Sequence, residues 1–135
     1  MNRGDFQALA RLRLREARAL RDRELWSGCL YLSGYAVECA LKACIARSTR
    51  RHDFPDKRRV NESYTHDLQT LLQAAGLRDK LDQEAQADAG LKTAWAAISN
   101  KWNVDRRYNW LVAKQEAVDL YKAAKKVNQW LRERW

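Results

Sequence analysis

Apolar residues recur every three or four positions along most of the chain, and this spacing predicts amphipathic helices. The first helical segment extends from about Asp5 to Asp22, and Asp5 is suited to cap its start. Its apolar side is expected to pack inward. Its outer face carries a basic ridge on successive turns, formed by Arg11, Arg15 and Arg18.

The second segment, from about Glu24 to Ser48, is the most apolar part of the chain. Glycine in a helix interior costs about 0.5–1 kcal/mol relative to alanine, so its presence here requires a packing reason. We therefore expect a neighbouring backbone to approach this helix closely at its small residues, which are Ser27, Gly28, Ser33 and Gly34.

The remainder of the chain divides into one basic loop and several helical segments. Residues 49–64 hold the only proline and are predicted to be a loop. Thr65 is predicted to cap the next helix and Gly76 to end it. Further helices are predicted at about Leu77–Ala87, Asp88–Lys101 and Trp110–Glu133, the last with an apolar face of Trp110, Ala113, Ala117, Leu120, Ala124, Val127 and Leu131.

Together these segments predict an all-α fold, an antiparallel up-and-down bundle of four to five helices. Composition agrees, because five Gly and one Pro leave little punctuation for the many turns of an all-β fold. The chain has 135 residues, which suits one domain, and we expect that domain to cover residues 1–135.

Two charges interrupt the second helix at positions that share one face. Tyr31, Tyr35, Glu38 and Lys42 follow one another at spacings of four, three and four residues. One interpretation is an ordinary exposed pair of Glu38 and Lys42, worth about 0.2–0.5 kcal/mol. The other is a cleft lined by this stripe, in which a buried Glu38 requires a cationic partner from elsewhere in the fold.

The expected partner of Glu38 is Arg106 or Arg107, in the stretch WNVDRRYNW before the last helix. Arginine is suited to a bidentate grip on a carboxylate or phosphate. The alternative is a loop whose arginines face water.

The formal net charge of +9 makes nucleic acid or another polyanion an expected partner, with a solvated basic surface as the alternative.

No stretch of about 18 uncharged apolar residues occurs, and the N-terminal residues lack the apolar core of a signal peptide, so we expect a cytoplasmic protein without a membrane segment. Three cysteines, all in the second helix, are predicted to be free and buried: Cys29, Cys39 and Cys44.

Several pieces, in order, resemble the HEPN domain family. They are GYAVECALKA on the second helix, FPDK, YTHDL, and W-x-VDRRY before the last helix. The resemblance spans roughly residues 12–121. It implies a helical bundle that forms a homodimer with a cleft at the subunit interface, often encoded beside a minimal nucleotidyltransferase. In active members that cleft cleaves RNA without a metal, and several members act as toxins restrained by the nucleotidyltransferase.

The sequence departs from the family's nuclease signature, which is an Arg followed after four to six residues by a His. The Arg can be carried over to Arg106 or Arg107, but YNWLVAKQEA follows and contains no His. Losing an imidazole removes an acid–base contribution of typically about 10²–10⁴ in rate. The literal matches Arg47–His52 and Arg59–His66 lie in the wrong part of the fold. His66 is either structural, near a helix start, or a side chain that reaches the cleft.

Aromatic surface provides a separate reason to expect a dimer, because Trp is enriched in interface hot spots. Core packing is the rival explanation. The tryptophans concerned are Trp102, Trp110, Trp130 and Trp135.

Three functions follow from the sequence, and none of them calls for a cofactor or a metal. His52 with Asp53 and Asp56 is a weak metal pattern. The first function is an HEPN-like nucleotide- or RNA-binding module, a toxin-like partner of a nucleotidyltransferase with a degenerate nuclease motif. Its binding residues would be Arg106, Arg107, Tyr108, Lys42 and Tyr35. The second is a metal-independent endoribonuclease toxin with a variant catalytic set of Arg106, Arg107, Glu38 and His66. The third is a non-catalytic protein–protein adaptor.

Overall fold

The computed structural model describes residues 1–49 and 56–135, and within these ranges the chain forms helices and no strand. The predicted all-α class is therefore confirmed. The helices are α1 (Arg3–Asp22), α2 (Trp26–Ser48), α3 (Lys57–Ser63), α4 (Leu68–Ala74), α5 (Arg78–Ala87), α6 (Ala89–Lys101), a 3-10 helix (Val104–Tyr108) and α7 (Lys114–Arg132).

The four long helices are α1, α2, α6 and α7. They alternate in direction along the chain, which confirms the predicted up-and-down bundle. α1 and α2 are antiparallel, since the guanidinium of Arg13 lies 5.7 Å from the ring centre of Tyr35, far from the turn that joins the two helices. α6 and α7 are also antiparallel. Lys126 Nζ lies 3.1 Å from the carboxylate of Asp88, at the start of α6.

The second and fourth long helices, α2 and α7, run parallel and pack directly on each other. Near the start of both helices, Cys29 Sγ lies 4.0 Å from the carbonyl oxygen of Ala117. Near their end, Cys44 Sγ lies 3.8 Å from the carbonyl oxygen of Leu131. In an alternating bundle the second and fourth members point the same way, so this contact is parallel. With α1 on its other side, α2 is the central helix of the core.

Central packing explains why α2 is so apolar. By length and composition it would suffice to cross a bilayer, with a mean hydropathy of 1.3 over its best window, but 72% of that window is buried inside the bundle. A helix enclosed by protein on most sides is hydrophobic all round for the same reason as one enclosed by lipid.

The turn between α1 and α2 corrects the predicted start of the second helix. Glu24 has a φ of 60°, in the left-handed region. The N–H of Leu25 donates to the carbonyl of Leu20 at 2.9 Å, and the N–H of Glu24 donates to that of Arg21 at 3.0 Å. These two bonds form a Schellman motif. Glu24 therefore ends α1, and α2 begins at Trp26.

The predicted loop at residues 49–64 contains an additional short helix, α3. The side chain of Asp56 accepts a hydrogen bond from the N–H of Arg58 at 3.0 Å and caps this helix. Arg58 also pairs with Glu62 one turn later, at 2.9 Å. Local capping and an i,i+4 ion pair support a helix that has no apolar stripe, and for this reason the apolar spacing missed it.

The structure corrects the predicted cap of α4 and confirms its predicted end. Asp67, not Thr65, is the cap, because its carboxylate accepts a hydrogen bond from the N–H of Thr70 at 2.7 Å. Thr65 instead accepts one from the N–H of Asp67 at 3.2 Å. Gly76 ends the helix with a φ of 70°, as predicted.

The last helix begins four residues later than predicted. α7 starts at Lys114, and Trp110 and Leu111 before it are 79% and 77% exposed. The predicted apolar face is buried only from Ala117 onward. An exposed tryptophan and leucine produce the same periodic pattern as buried ones, so the spacing extended the helix too far.

Candidate functional site

Glu38 is the charged residue at the centre of the fold, and its side chain is only 2% exposed. One carboxylate oxygen, Oε1, accepts a hydrogen bond from Lys42 Nζ at 2.9 Å. The same oxygen lies 2.9 Å from Nδ1 of His66, in the segment before α4. The other oxygen, Oε2, is buried and has no hydrogen-bond partner among the described residues. Lys42 and His66 are thus the groups that stabilise this buried carboxylate.

This arrangement decides between the two interpretations of the α2 charges. The pair of Glu38 and Lys42 is not on an exposed face, since the Lys42 side chain is only 15% exposed. A buried carboxylate with a partner from elsewhere in the fold was expected, and His66 supplies that partner. The expected arginine does not.

The predicted contact of Glu38 with Arg106 or Arg107 is wrong. Arg106 forms an ion pair with Glu116, in the first turn of α7. The guanidinium of Arg107 lies 4.9 Å from the ring centre of the neighbouring Tyr108. Glu116 is ten residues from Arg106 in sequence, and the turn of the chain into α7 brings the two together. The carboxylate of Glu116, and not that of Glu38, therefore neutralises Arg106.

Aromatic rings extend the stripe of α2 away from Glu38. Tyr31 and Tyr35 stack with ring centres 6.1 Å apart and planes 8° apart, and Tyr31 also stacks on Trp102 at 6.1 Å. Arg13 of α1 lies over Tyr35. Burial, followed by the neighbouring Cys39 and Glu38, raises the pKa of the Tyr35 phenol. Tyr35 is therefore a neutral hydrogen-bonding group at neutral pH.

Gly34 makes the contact between Trp102 and α2 possible. A Cβ on Gly34 would lie 2.1 Å from the indole ring of Trp102, which is far inside van der Waals contact. The indole Nε1 donates a hydrogen bond to the carbonyl of Tyr31 at 3.0 Å. Close approach at the small residues of α2 was predicted, but the group that approaches is a side chain and not a backbone. At Gly28 it is likewise the side chain of Leu20.

Trp102 leads directly into the 3-10 helix, which packs against α2. Three residues of this 3-10 helix are exposed, namely Asp105, Arg107 and Tyr108, and Tyr108 is 69% exposed. The structure therefore brings together Lys42, Glu38 and His66 in one hydrogen-bonded cluster. Among the described residues, no hydrogen bond or ion pair joins Arg106, Arg107 or Tyr108 to that cluster.

Sequence reasoning missed three residues around this site, namely Arg13, Trp102 as a stacking partner, and Glu116. Arg13 lies on the inner edge of α1, where its Nη1 is 2.5 Å from the carboxylate of Glu16. An i,i+3 spacing of Arg and Glu was visible in the sequence. The contacts of Trp102 and Glu116 depend on how separate helices meet, so a local sequence pattern does not predict them.

The three thiols are free and buried, as predicted. Burial raises the pKa of Cys39 to about 12 and that of Cys44 to about 12. Thiols are nucleophilic and bind metals as thiolates, so these cysteines act as small apolar core residues.

Within residues 1–49 and 56–135, no three or more His, Cys, Asp or Glu side chains form a group able to hold a metal ion. The weak pattern of His52, Asp53 and Asp56 falls mostly outside the described residues, and so does the literal match of Arg47 with His52.

The fold and the site define a small all-α bundle whose central helix carries a buried carboxylate. The same helix packs against the 3-10 helix, where Arg106 and Arg107 form a basic bend. Comparison with protein families gives this class its name. The family model of the HEPN domain matches residues 7–134, nearly the whole chain, and the chain belongs to the HEPN domain family. No curated protein and no solved structure matches the chain.

Proposed function

We propose that the chain is a single HEPN domain, residues 1–135, that binds RNA or a nucleotide in the cytoplasm and carries a degenerate nuclease motif. Membership of the HEPN family supports an RNA- or nucleotide-related role. The observation that carries the proposal is the packing of the 3-10 helix, with exposed Arg107 and Tyr108, against α2. A guanidinium beside an exposed aromatic ring suits a phosphate next to a base or nucleoside.

Binding is favoured over cleavage because the basic bend has no histidine after it. The residues that follow Arg107 are YNWLVAKQEA. Arg106 is engaged by Glu116, which leaves Arg107 as the exposed arginine of the bend for a ligand. Lys42 and Tyr35 would line the adjoining face of α2.

Fluorescence anisotropy with a labelled single-stranded RNA and with a labelled nucleotide tests this proposal. We expect Arg107→Gln and Tyr108→Ala each to weaken binding by roughly tenfold, since one base stack or charged contact is worth about 1–3 kcal/mol. Lys92→Gln is the matched control, because Lys92 is exposed on α6 and lies outside the proposed site. Equal binding by all the variants, or no binding at low salt, would instead favour a protein–protein adaptor.

A second function, metal-independent RNA cleavage, is favoured by one specific observation. The carboxylate of Glu38 holds Nδ1 of His66 at 2.9 Å, while the His66 side chain remains 50% exposed. A carboxylate that fixes one ring nitrogen leaves the other, Nε2, oriented for proton transfer. In this reading His66, held by Glu38, replaces the missing histidine of the family and acts with Arg107.

A cleavage assay in the presence of EDTA separates the two functions. Cutting that is abolished by His66→Ala and strongly reduced by Glu38→Gln would establish the nuclease. His52→Ala is the matched control, because His52 is the other histidine of the chain. RNA that is bound but not cut leaves the binding function alone.

We further propose a homodimer and a nucleotidyltransferase partner, as in a toxin–antitoxin pair. Of the tryptophans considered for an interface, Trp102 and Trp135 are buried, whereas Trp110 is 79% exposed. Leu111 next to it is also largely exposed. Sedimentation should show a dimer that Trp110→Ala with Leu111→Ala converts to a monomer, while Leu25→Ala, at another exposed apolar position, does not.

A nucleotidyltransferase partner is tested by co-expression with the product of a neighbouring reading frame. We expect a stable complex and relief of any growth inhibition caused by this chain alone. A neighbour of another protein class would contradict the toxin–antitoxin assignment and would leave the binding function to be judged on RNA alone.

A further inference from the structure

Two rows of exposed cations lie along the contact between α1 and α7. We call this surface the α1–α7 basic seam. All six of its residues are exposed, and they are Arg11, Arg15 and Arg18 on α1, and Lys122, Lys125 and Arg132 on α7. On each helix the members follow one another at spacings of three, four or seven residues, so each row occupies one side of its helix.

The two rows are brought side by side by contacts at both ends of the seam. At one end, the guanidinium groups of Arg11 and Arg132 lie 4.9 and 5.9 Å from the ring centre of Trp135. At the other end, Arg21 of α1 lies 4.8 Å from the ring centre of Tyr121 of α7. The helices are thus antiparallel neighbours, and with a rise of about 1.5 Å per residue the rows extend over roughly 10 and 15 Å.

Within residues 1–49 and 56–135, the charge of the seam is not neutralised by ion pairs. None of its six cations belongs to an ion pair among the described residues. The carboxylates at the ends of the two helices are each bonded to a neighbouring arginine, Asp22 to Arg21 and Glu133 to Arg134. The next lysine of α7, Lys126, by contrast pairs with Asp88 at the start of α6.

We propose that the α1–α7 basic seam binds the phosphate backbone of an RNA strand. This inference rests on the proposed RNA-binding function and adds to it a second surface, built from α1 and α7 instead of α2 and the 3-10 helix. Unpaired cations in two parallel rows release counterions when they meet a polyanion, and this contribution to affinity does not depend on the base sequence. The seam would hold the strand while the 3-10 helix contacts a base.

RNA fits the seam better than an anionic membrane does. A helix that lies on a membrane inserts apolar side chains beside its cations. Among the described residues, Leu12 is the only large apolar side chain on α1 or α7 that is exposed, and it is 38% exposed. Trp135, at the end of the seam, is buried beneath its arginines.

The test compares two triple variants that lose the same charge. The seam variant combines Arg15→Gln, Arg18→Gln and Lys125→Gln and leaves Arg11 and Arg132 in place on Trp135. The control combines Lys57→Gln, Lys80→Gln and Lys92→Gln, at exposed lysines on α3, α5 and α6. Binding to a labelled single-stranded RNA of about 20 nucleotides is measured by anisotropy from about 50 to 300 mM KCl. Arg107→Gln is measured in parallel.

For the seam variant we expect at least a roughly tenfold loss of affinity near 0.1 M salt, and a slope of log K against log salt that is smaller by about 2, since each lost phosphate contact removes about 0.7. The control is expected to keep the slope of the original chain. Lys125→Glu, a single reversal, should lower the slope in the same direction and serves if the triple variant does not fold.

Each other outcome overturns the proposal in a recognisable way. Equal losses in the seam and control variants would mean that net charge alone acts. A seam variant that binds like the original chain, while Arg107→Gln is weakened, would remove the seam and keep the proposed function. Absence of RNA binding at the lowest salt would remove both. The seam variant is also tested for binding to phosphatidylserine vesicles. If it loses vesicle binding but keeps RNA binding, the seam would be assigned to a membrane.

Discussion

Nδ1 of His66 and Oε1 of Glu38 lie 2.9 Å apart, although the two residues are 28 positions apart in the sequence. Glu38 is on the central helix and His66 directly precedes the α4 cap, Asp67. Because Lys42 donates to the same oxygen, the buried carboxylate ties together one turn of α2 and the segment that leads into α4. A single charged residue thus contributes both to the fold and to the candidate site.

Removing the Glu38 carboxylate should strongly destabilise the fold. We expect Glu38→Ala to lower the free energy of unfolding by about 3 kcal/mol, because it leaves the largely buried Lys42 ammonium without its partner. Glu38→Gln should cost less, since an amide oxygen still accepts a hydrogen bond. Urea denaturation followed by circular dichroism measures both.

The exposed ion pair of Arg58 and Glu62 provides a control with the same spacing and the reverse order of charges. It is also an i,i+4 pair at 2.9 Å, but the Arg58 side chain is 83% exposed. Glu62→Ala should therefore cost much less than Glu38→Ala, because exposed ion pairs contribute little to stability. Similar losses for Glu38→Ala and Glu62→Ala would contradict the importance of burial at Glu38.

Gly34→Ala should destabilise the protein by about 1–3 kcal/mol, and more if Trp102 cannot move, because the added methyl group overlaps the indole ring. Gly28→Ala is the comparison. There the nearest atom to the added Cβ would be Cδ1 of Leu20, at 2.9 Å, which is the flexible end of a side chain. The helical preference for alanine should offset most of that cost. Thermal or urea unfolding of the two variants should rank them in this order.

Glu24→Gly should stabilise the protein, by about 1 kcal/mol, because Glu24 has a left-handed backbone that favours glycine. The reciprocal change, Gly76→Ala, should destabilise by a similar amount, since Gly76 has a φ of 70° and open space around its Cα. A shift of both variants in the same direction in chemical denaturation would argue against a left-handed backbone at these two positions.

Stability should fall at alkaline pH because of the buried thiols. The ordinary pKa of a thiol is 9.0, whereas burial raises those of Cys39 and Cys44 to about 12 in the folded protein. Their contribution is fully present below pH 9, where the thiols are protonated in both states. Between about pH 9 and 12 the unfolded chain releases these protons and the folded chain keeps them, so the contribution is lost with rising pH.

The thiol prediction is checked by urea unfolding at several pH values with a Cys39→Ala, Cys44→Ala variant. The decline of stability above pH 9 should be shallower in that variant than in the original chain. In native protein at pH 8, iodoacetamide should also react slowly with all three cysteines and rapidly once the chain is unfolded. Fast alkylation of the native protein would show that the thiols are accessible.

Local patterns predicted much of the helical architecture. The apolar spacing placed α1, α2, α5 and α6 within about two residues of their observed bounds. It failed at α3, which has a cap and an ion pair but no apolar stripe, and at the start of α7, where Trp110 imitates a core residue. The spacing of apolar residues reflects residue type alone. Whether such a residue is buried depends on which other part of the fold packs against it.

The sequence by itself determined the all-α class, the HEPN resemblance, and the presence of one carboxylate in the most apolar helix. Those features depend on residue type and on spacing within one element. Only the tertiary structure decided that Glu38 meets His66 and Lys42 and that Arg106 meets Glu116. A carboxylate pairs with whichever cation the packing of separate helices brings within hydrogen-bond distance, and the sequence offered more than one.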